Sequence, residues 1–202
     1  MSFLKATYQL FAGSLLAATA GAYIGLGIVS ILMGPVKWVL FAVELALIFF
    51  VIPKVKHTPG LNLAVLFAFT FISGLTIAPL LTSIFNMPGG ASIVGQAFLM
   101  TSVAFGGISM FAMTTKRDFS SMGKFLFIAL IIMIVAGISN IFIQSSMMQL
   151  AIASAGALLF SAFILYDTQQ IIKGNYDSPI EAALSLYLDF FNLFISLLQI
   201  LG

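Results

Sequence analysis

Read only for apolar and polar positions, the chain alternates between long apolar runs and short polar turns. Seven of the runs are long enough to cross a hydrocarbon layer of about 30 Å at about 1.5 Å per helical residue. The pattern predicts helix one over Tyr8–Met33, a turn at Gly34-Pro35, and helix two from Lys37 and Trp38 to Ile52, ended by Pro53. It predicts helix three over Leu61–Phe85, with a kink at Pro79, and helix four over Ala91–Thr114. Helix five is expected over Lys124–Ile143, helix six over Met147–Ile172, and helix seven from Pro179 to the last residue. The expected fold is all-α: one polytopic membrane domain over residues 1–202 with seven transmembrane helices.

Composition narrows the class. The chain is 61% hydrophobic and 7% charged, with a mean hydropathy of +1.18. Soluble domains carry about 25% charged residues, so a soluble globule is excluded. No basic run offers a nucleic-acid surface, and the absence of cysteine excludes disulfide and thiolate chemistry. Lys5, the apolar run to Leu16 and Ala18-Thr19-Ala20 resemble a cleaved leader, but apolar residues continue through Ile31-Leu32-Met33, too far for one. With the N-terminus inside, the inner segments hold Lys5, Lys54, Lys56, Lys116, Arg117, Lys124 and Lys173, and the outer ones only Lys37. That asymmetry predicts a cytoplasmic N-terminus and a C-terminus on the opposite side. Minimal loops point to a bacterial inner membrane.

Acids inside the apolar runs carry the candidate chemistry. A carboxylate at membrane depth costs about 2.5 kcal/mol or more unless it faces a bundle interior or water, so Asp167 in helix six and Asp189 in helix seven are functional candidates. The short turn Lys173–Ser178 makes these helices antiparallel neighbours. Asp167 lies roughly 8 Å and Asp189 roughly 14 Å in from the turn. Carboxyls that meet cannot both be ionised cheaply, so they would share a proton and titrate as a unit. Fully ionised, with carbonyls and water, the same two acids form a hard oxygen site suited to Ca²⁺.

Helix seven also carries a polar stripe. Ser185, Asp189, Asn192, Ser196 and Gln199 are spaced 4, 3, 4 and 3, on one helical face. That face must meet other helices or a water-lined path; plain interhelical hydrogen bonding, at about 0.6 kcal/mol per contact, is the structural alternative. Glu44 in helix two is a third buried acid. Gly95, Ser102, Gly106, Gly107 and Ser109 favour close packing of helix four. Ser178, Pro179 and Glu181 read as a capping box, which gives Glu181 a structural role, and His57 reads as a solvated loop residue.

The segments FSAFILYDTQQI and ALSLYLDFFNLFISLL resemble the last two helices of the transmembrane Bax inhibitor motif family. VELALI around Glu44, FTFISGLTIAPL in helix three and GISNIF in helix five resemble family segments as well. The resemblance implies six helices around a central last one and a pH-sensitive calcium leak. It implies that Asp167 and Asp189 form a hydrogen-bonded pH sensor and that Glu44 lies on the ion path, to which the stripe adds Ser185 and Asn192. A basic residue at the cytoplasmic end of helix two latches an aspartate in some members; here the position offers Lys54 and Lys56, and lysine lacks the bidentate fork of arginine. The expected partners are membrane lipid and calcium as the permeant ion, with no tightly bound cofactor. Alternatives are a proton-coupled exchanger, a regulatory membrane interaction protein and an intramembrane aspartyl protease. The protease needs Gly-x-Gly-Asp where this chain has Leu186-Tyr187-Leu188-Asp189, so no enzymatic activity is expected.

Overall fold

A computed structural model describes residues 2–202. It is 86% helix, with no strand among the described residues. Seven helices are long and apolar enough to cross a membrane. They are α1 (Phe3–Gly27), α2 (Val36–Val55), α3 (Leu61–Phe85), α4 (Gly90–Thr114), α5 (Gly123–Ile143), α6 (Ser146–Ile172) and α7 (Pro179–Leu201).

Two of the expected boundaries move. Helix one starts earlier, because the Ser2 side chain caps it at Lys5 N, and ends at Gly27 instead of running to Met33. Ile28 leaves helical geometry there, and a separate single turn, Val29–Leu32, precedes Gly34-Pro35. Pro53 does not end helix two at Ile52. The chain widens into a π turn over Leu47–Val51, then continues as Ile52–Val55 with proline in its first turn. A proline lacks the N–H that an α-turn would use and crowds the carbonyl four residues back; the π turn re-registers the bonds just ahead of it. α3 runs unbroken through Pro79.

The chain divides into two compact units. The first holds the residues up to Pro88 together with Tyr176–Tyr187, the second Gly89–Asn175 together with Leu188–Gly202. α7 is thus shared, its first part in one unit and its remainder in the other. It is also the most buried of the seven spans, 44% of its apolar window against 6% for α2 and α5.

In the first unit α1 packs on α3 through small residues. Thr7, Phe11, Ser14, Ala18, Gly21 and Gly25 recur at helical spacing and form the buried face of α1. A methyl group on Gly21 would lie 2.0 Å from the Phe71 carbonyl oxygen, and one on Gly74 2.0 Å from that of Ala18. The two backbones therefore touch where one of them lacks a side chain, Gly21 against Phe71 and Gly74 against Ala18. In the second unit Ala97, Thr101, Phe105, Ser109 and Ala112 form the buried face of α4. Phe98 and Phe105 meet Phe190 of α7 edge-on, with ring centroids 6.0 and 5.6 Å apart. The close packing expected from the glycines of helix four is not there: Gly95, Gly106 and Gly107 lie off the buried face and nothing stands within 4 Å of where their side chains would be.

Candidate ion site: a buried acid pair and two loop ties

Asp167 and Asp189 are 8% and 4% exposed, both in the second unit. Asp167 stands within side-chain hydrogen-bonding and electrostatic range of the Asp189 carboxyl. The different depths estimated from the sequence do not keep them apart, because the ends of α6 and α7 need not lie at one height. The Asp189 Oδ2 atom is buried and has no hydrogen-bond partner among the described residues. No group of three or more His, Cys, Asp or Glu side chains occurs among the described residues, so the acids stand as a pair rather than part of a larger carboxylate cage.

The other stripe positions separate. Asn192 turns its Nδ2 back onto the Leu188 carbonyl of its own helix at 2.7 Å, and Ser185 is half-buried. Ser196 is buried against Gly156 of α6, and Gln199 borders a cavity at the far end of α7. Glu44 belongs to the first unit, where Thr76 Oγ1 of α3 donates to its Oε1 at 3.2 Å. It sits one turn before the π turn of α2.

The first unit also places a tyrosine that sequence reasoning passed over. Tyr187 is fully buried, its hydroxyl shares a short hydrogen bond with Ser73, and it donates at 3.4 Å to the Thr70 carbonyl. The signal was its position two residues before Asp189 in an apolar run, since a buried phenol needs a partner.

Two lysines account for the remaining three acids. Lys56 Nζ donates to Asp177 at 3.1 Å and to Glu181 at 3.0 Å. The Lys56 carbonyl accepts from Asn62 Nδ2 at 3.2 Å and from Ser178 Oγ at 3.4 Å. Of the two lysines considered as a latch, Lys56 therefore holds the start of α7, while Lys54 is exposed. Glu181, followed by Asp177, holds the Lys56 ammonium above its ordinary value. The capping box is made only in part: Ser178 Oγ accepts from the Ile180 N–H at 3.2 Å, and Glu181 is engaged by the lysine.

In the second unit the end of α6 grips the loop before α5. Gln169 accepts from Phe119 N at 3.0 Å and donates to the Arg117 carbonyl at 2.8 Å. Gln170 donates to Ser120 Oγ at 3.1 Å. Lys173 binds Asp118 and donates to Ser120 Oγ at 2.8 Å. Lys173 and then Ser120 hold the Asp118 carboxyl well below the usual carboxylate range. The glutamines were missed as well, although a signal existed. Four consecutive polar residues, Asp167 to Gln170, sweep about 300° around a helix and so must find partners on several sides.

Seven apolar spans and an acid pair buried between two of them define an integral membrane protein. The chain belongs to the Bax inhibitor family: the family model described as "Inhibitor of apoptosis-promoting Bax1" matches residues 1–202. An uncharacterized protein of Campylobacter jejuni is 56% identical over 202 residues, covering 98% of this chain and 87% of that one. An uncharacterized membrane protein of Vibrio cholerae is 41% identical over 98% of this chain and 88% of its own. Mouse protein lifeguard 4 is 35% identical over 100% of this chain and 84% of its own.

Proposed function

We propose that the protein is a pH-sensitive calcium leak whose gate is the Asp167–Asp189 pair. The observation that carries this reading is a carboxyl, Asp189, buried in a membrane span beside a second acid with one oxygen unpartnered. Two acids so placed share one proton at small cost, and losing it leaves adjoining charges that must be relieved by movement or by a cation. Ca²⁺ is then cargo passing hard oxygen atoms, with no resident metal or cofactor and no covalent chemistry. Glu44, Ser185 and Asn192 serve the path, in a bacterial inner membrane with the N-terminus cytoplasmic.

The test is Ca²⁺ flux through purified protein in liposomes, from about pH 5 to pH 8, for the parent, Asp167→Asn and Asp189→Asn. The parent should pass Ca²⁺ with a pH-dependent rate, and either variant should flatten that dependence. Variants that titrate like the parent end the sensor assignment. Flux that follows an imposed proton gradient instead of the Ca²⁺ gradient makes the protein an exchanger.

A further inference from the structure

At the end of the second unit remote from the α6–α7 turn lies a cavity of about 330 Å³, lined by Gly137, Asn140, Ile141, Gln149, Ile152 and Gln199. Three of those six residues are carboxamides, from three different helices, in a part of the chain otherwise rich in Ile, Phe and Met. Each stands about one turn in from the end of its helix: Asn140 three residues before Ile143, Gln149 three after Ser146, Gln199 two before Leu201. In a spanning protein that is the depth where hydrocarbon gives way to headgroups and water. Gln149 is exposed, whereas Asn140 and Gln199 are half-buried. Asn140 uses its Oδ1 to accept from Ser145 N at 3.1 Å, which fixes the amide at the rim.

The cavity is aligned with the acid pair. Three positions of the α7 stripe face α6 in antiparallel order: Asp189 against Asp167, Ser196 against Gly156, and Gln199 beside Gln149 and Ile152 in the cavity wall. Gln199 is ten residues from Asp189, about 15 Å along the helix. Between them, a methyl group on Gly156 would come within 2.6 Å of Ser196 Oγ, so the bare glycine leaves that hydroxyl its room.

We propose that this cavity is the far mouth of the path, a weak receiving site for a hydrated divalent cation. This assignment rests on the leak reading above. Amide carbonyls are neutral, hard oxygen donors; without a carboxylate among them they hold a partly hydrated ion loosely enough to release it. The line of polar groups ends at two acids, which attract a cation and repel an anion. Ser196 is the step between the mouth and the pair.

The chain has no cysteine, so single thiols can be placed on an unreactive background. Gln199→Cys and Ser196→Cys are reconstituted, then treated with a membrane-impermeant thiol reagent added on each side in turn, with and without Ca²⁺. Both should react from the side away from the α6–α7 turn, Gln199→Cys faster, and Ca²⁺ should slow the reaction several-fold. Ile200→Cys, off the stripe and not in the cavity wall, should show no protection by Ca²⁺. In flux measurements, Gln199→Glu should raise the rate and Gln199→Met lower it. A Gln199→Cys that does not react, or reacts equally with and without Ca²⁺, overturns the mouth assignment, even if Ca²⁺ flux and its Asp189 dependence persist. Ca²⁺ protection in a protein that passes no Ca²⁺ removes the leak reading and keeps the cation site.

Discussion

The acids in or next to the loops and the acids deep in the helices are the same residue types in opposite circumstances. Asp177 and Glu181 face Lys56, and Asp118 faces Lys173, each in an ion pair near the surface. Asp189, 4% exposed, faces another acid. Asp118, held below the usual carboxylate range beside the Lys173 ammonium, stays charged through any physiological pH, so it can hold a segment but cannot sense protons there. An acid beside an acid in a low-dielectric span has no such fixed state. The difference separates charge that anchors the ends of α6 and α7 from an acid pair buried between them, the pair to which the proposed reading gives a labile proton.

The most forceful way to break the comparison is to remove the labile proton. Asp189→Asn should abolish the pH dependence of Ca²⁺ flux, a dependence that one shared proton limits to about tenfold per pH unit in the parent. A variant that retains the parent's pH profile makes the buried pair no different in function from the loop acids.

Next in size is a change that touches neither kind of acid. Gly74→Ala places a methyl group 2.0 Å from the Ala18 carbonyl oxygen, a backbone atom that cannot swing away. Overpacking of this kind costs about 3 kcal/mol. Thermal unfolding in detergent should register it, whereas Gly106→Ala, facing open space inside α4, should be neutral or stabilising by up to about 1 kcal/mol. Equal effects of the two would mean that α1 and α3 do not meet at these glycines.

The loop ties should respond to pH only at the extremes. Asp118 has a depressed carboxyl, so its contribution is present above its ordinary value of 3.8 and fades as pH falls through the lower folded value. Lys56 has a raised ammonium, so its contribution is complete below 10.5 and fades as pH rises through the higher folded value. Between about pH 5 and pH 8 both ties are constant. Lys56→Gln should therefore lower the melting midpoint by the same small amount across that range, and about 1 M salt should erase the difference. A stability change within the range that depends on Lys56 would move the pH switch from the helices to the loop.

The glycine positions show how far one-dimensional reading reaches. Helix four, with Gly95, Gly106 and Gly107, had the conspicuous small-residue content, yet the close backbone approach belongs to Gly21 and Gly74 of α1 and α3. Small residues permit contact, but which face of a helix meets a neighbour depends on where the neighbour is. Glu181 teaches the same lesson. Its spacing from Ser178 fits a capping box, and a lysine more than a hundred residues away in the chain takes it instead.

The sequence alone determined the class, the seven spans, most of their limits and the two acids that lie buried in the last two spans. These follow from local quantities: the length of an apolar run, the energy of a carboxylate in hydrocarbon and the spacing of residues on one helix. Tertiary structure alone decided that Asp167 and Asp189 meet, that Gln169 and Gln170 hold the loop before α5, that Lys56 binds Asp177 and Glu181, and that three distant amides share one cavity. Each of these joins residues from different helices or loops, and the rotation and height of one helix against another are set by packing, which no single run of sequence contains.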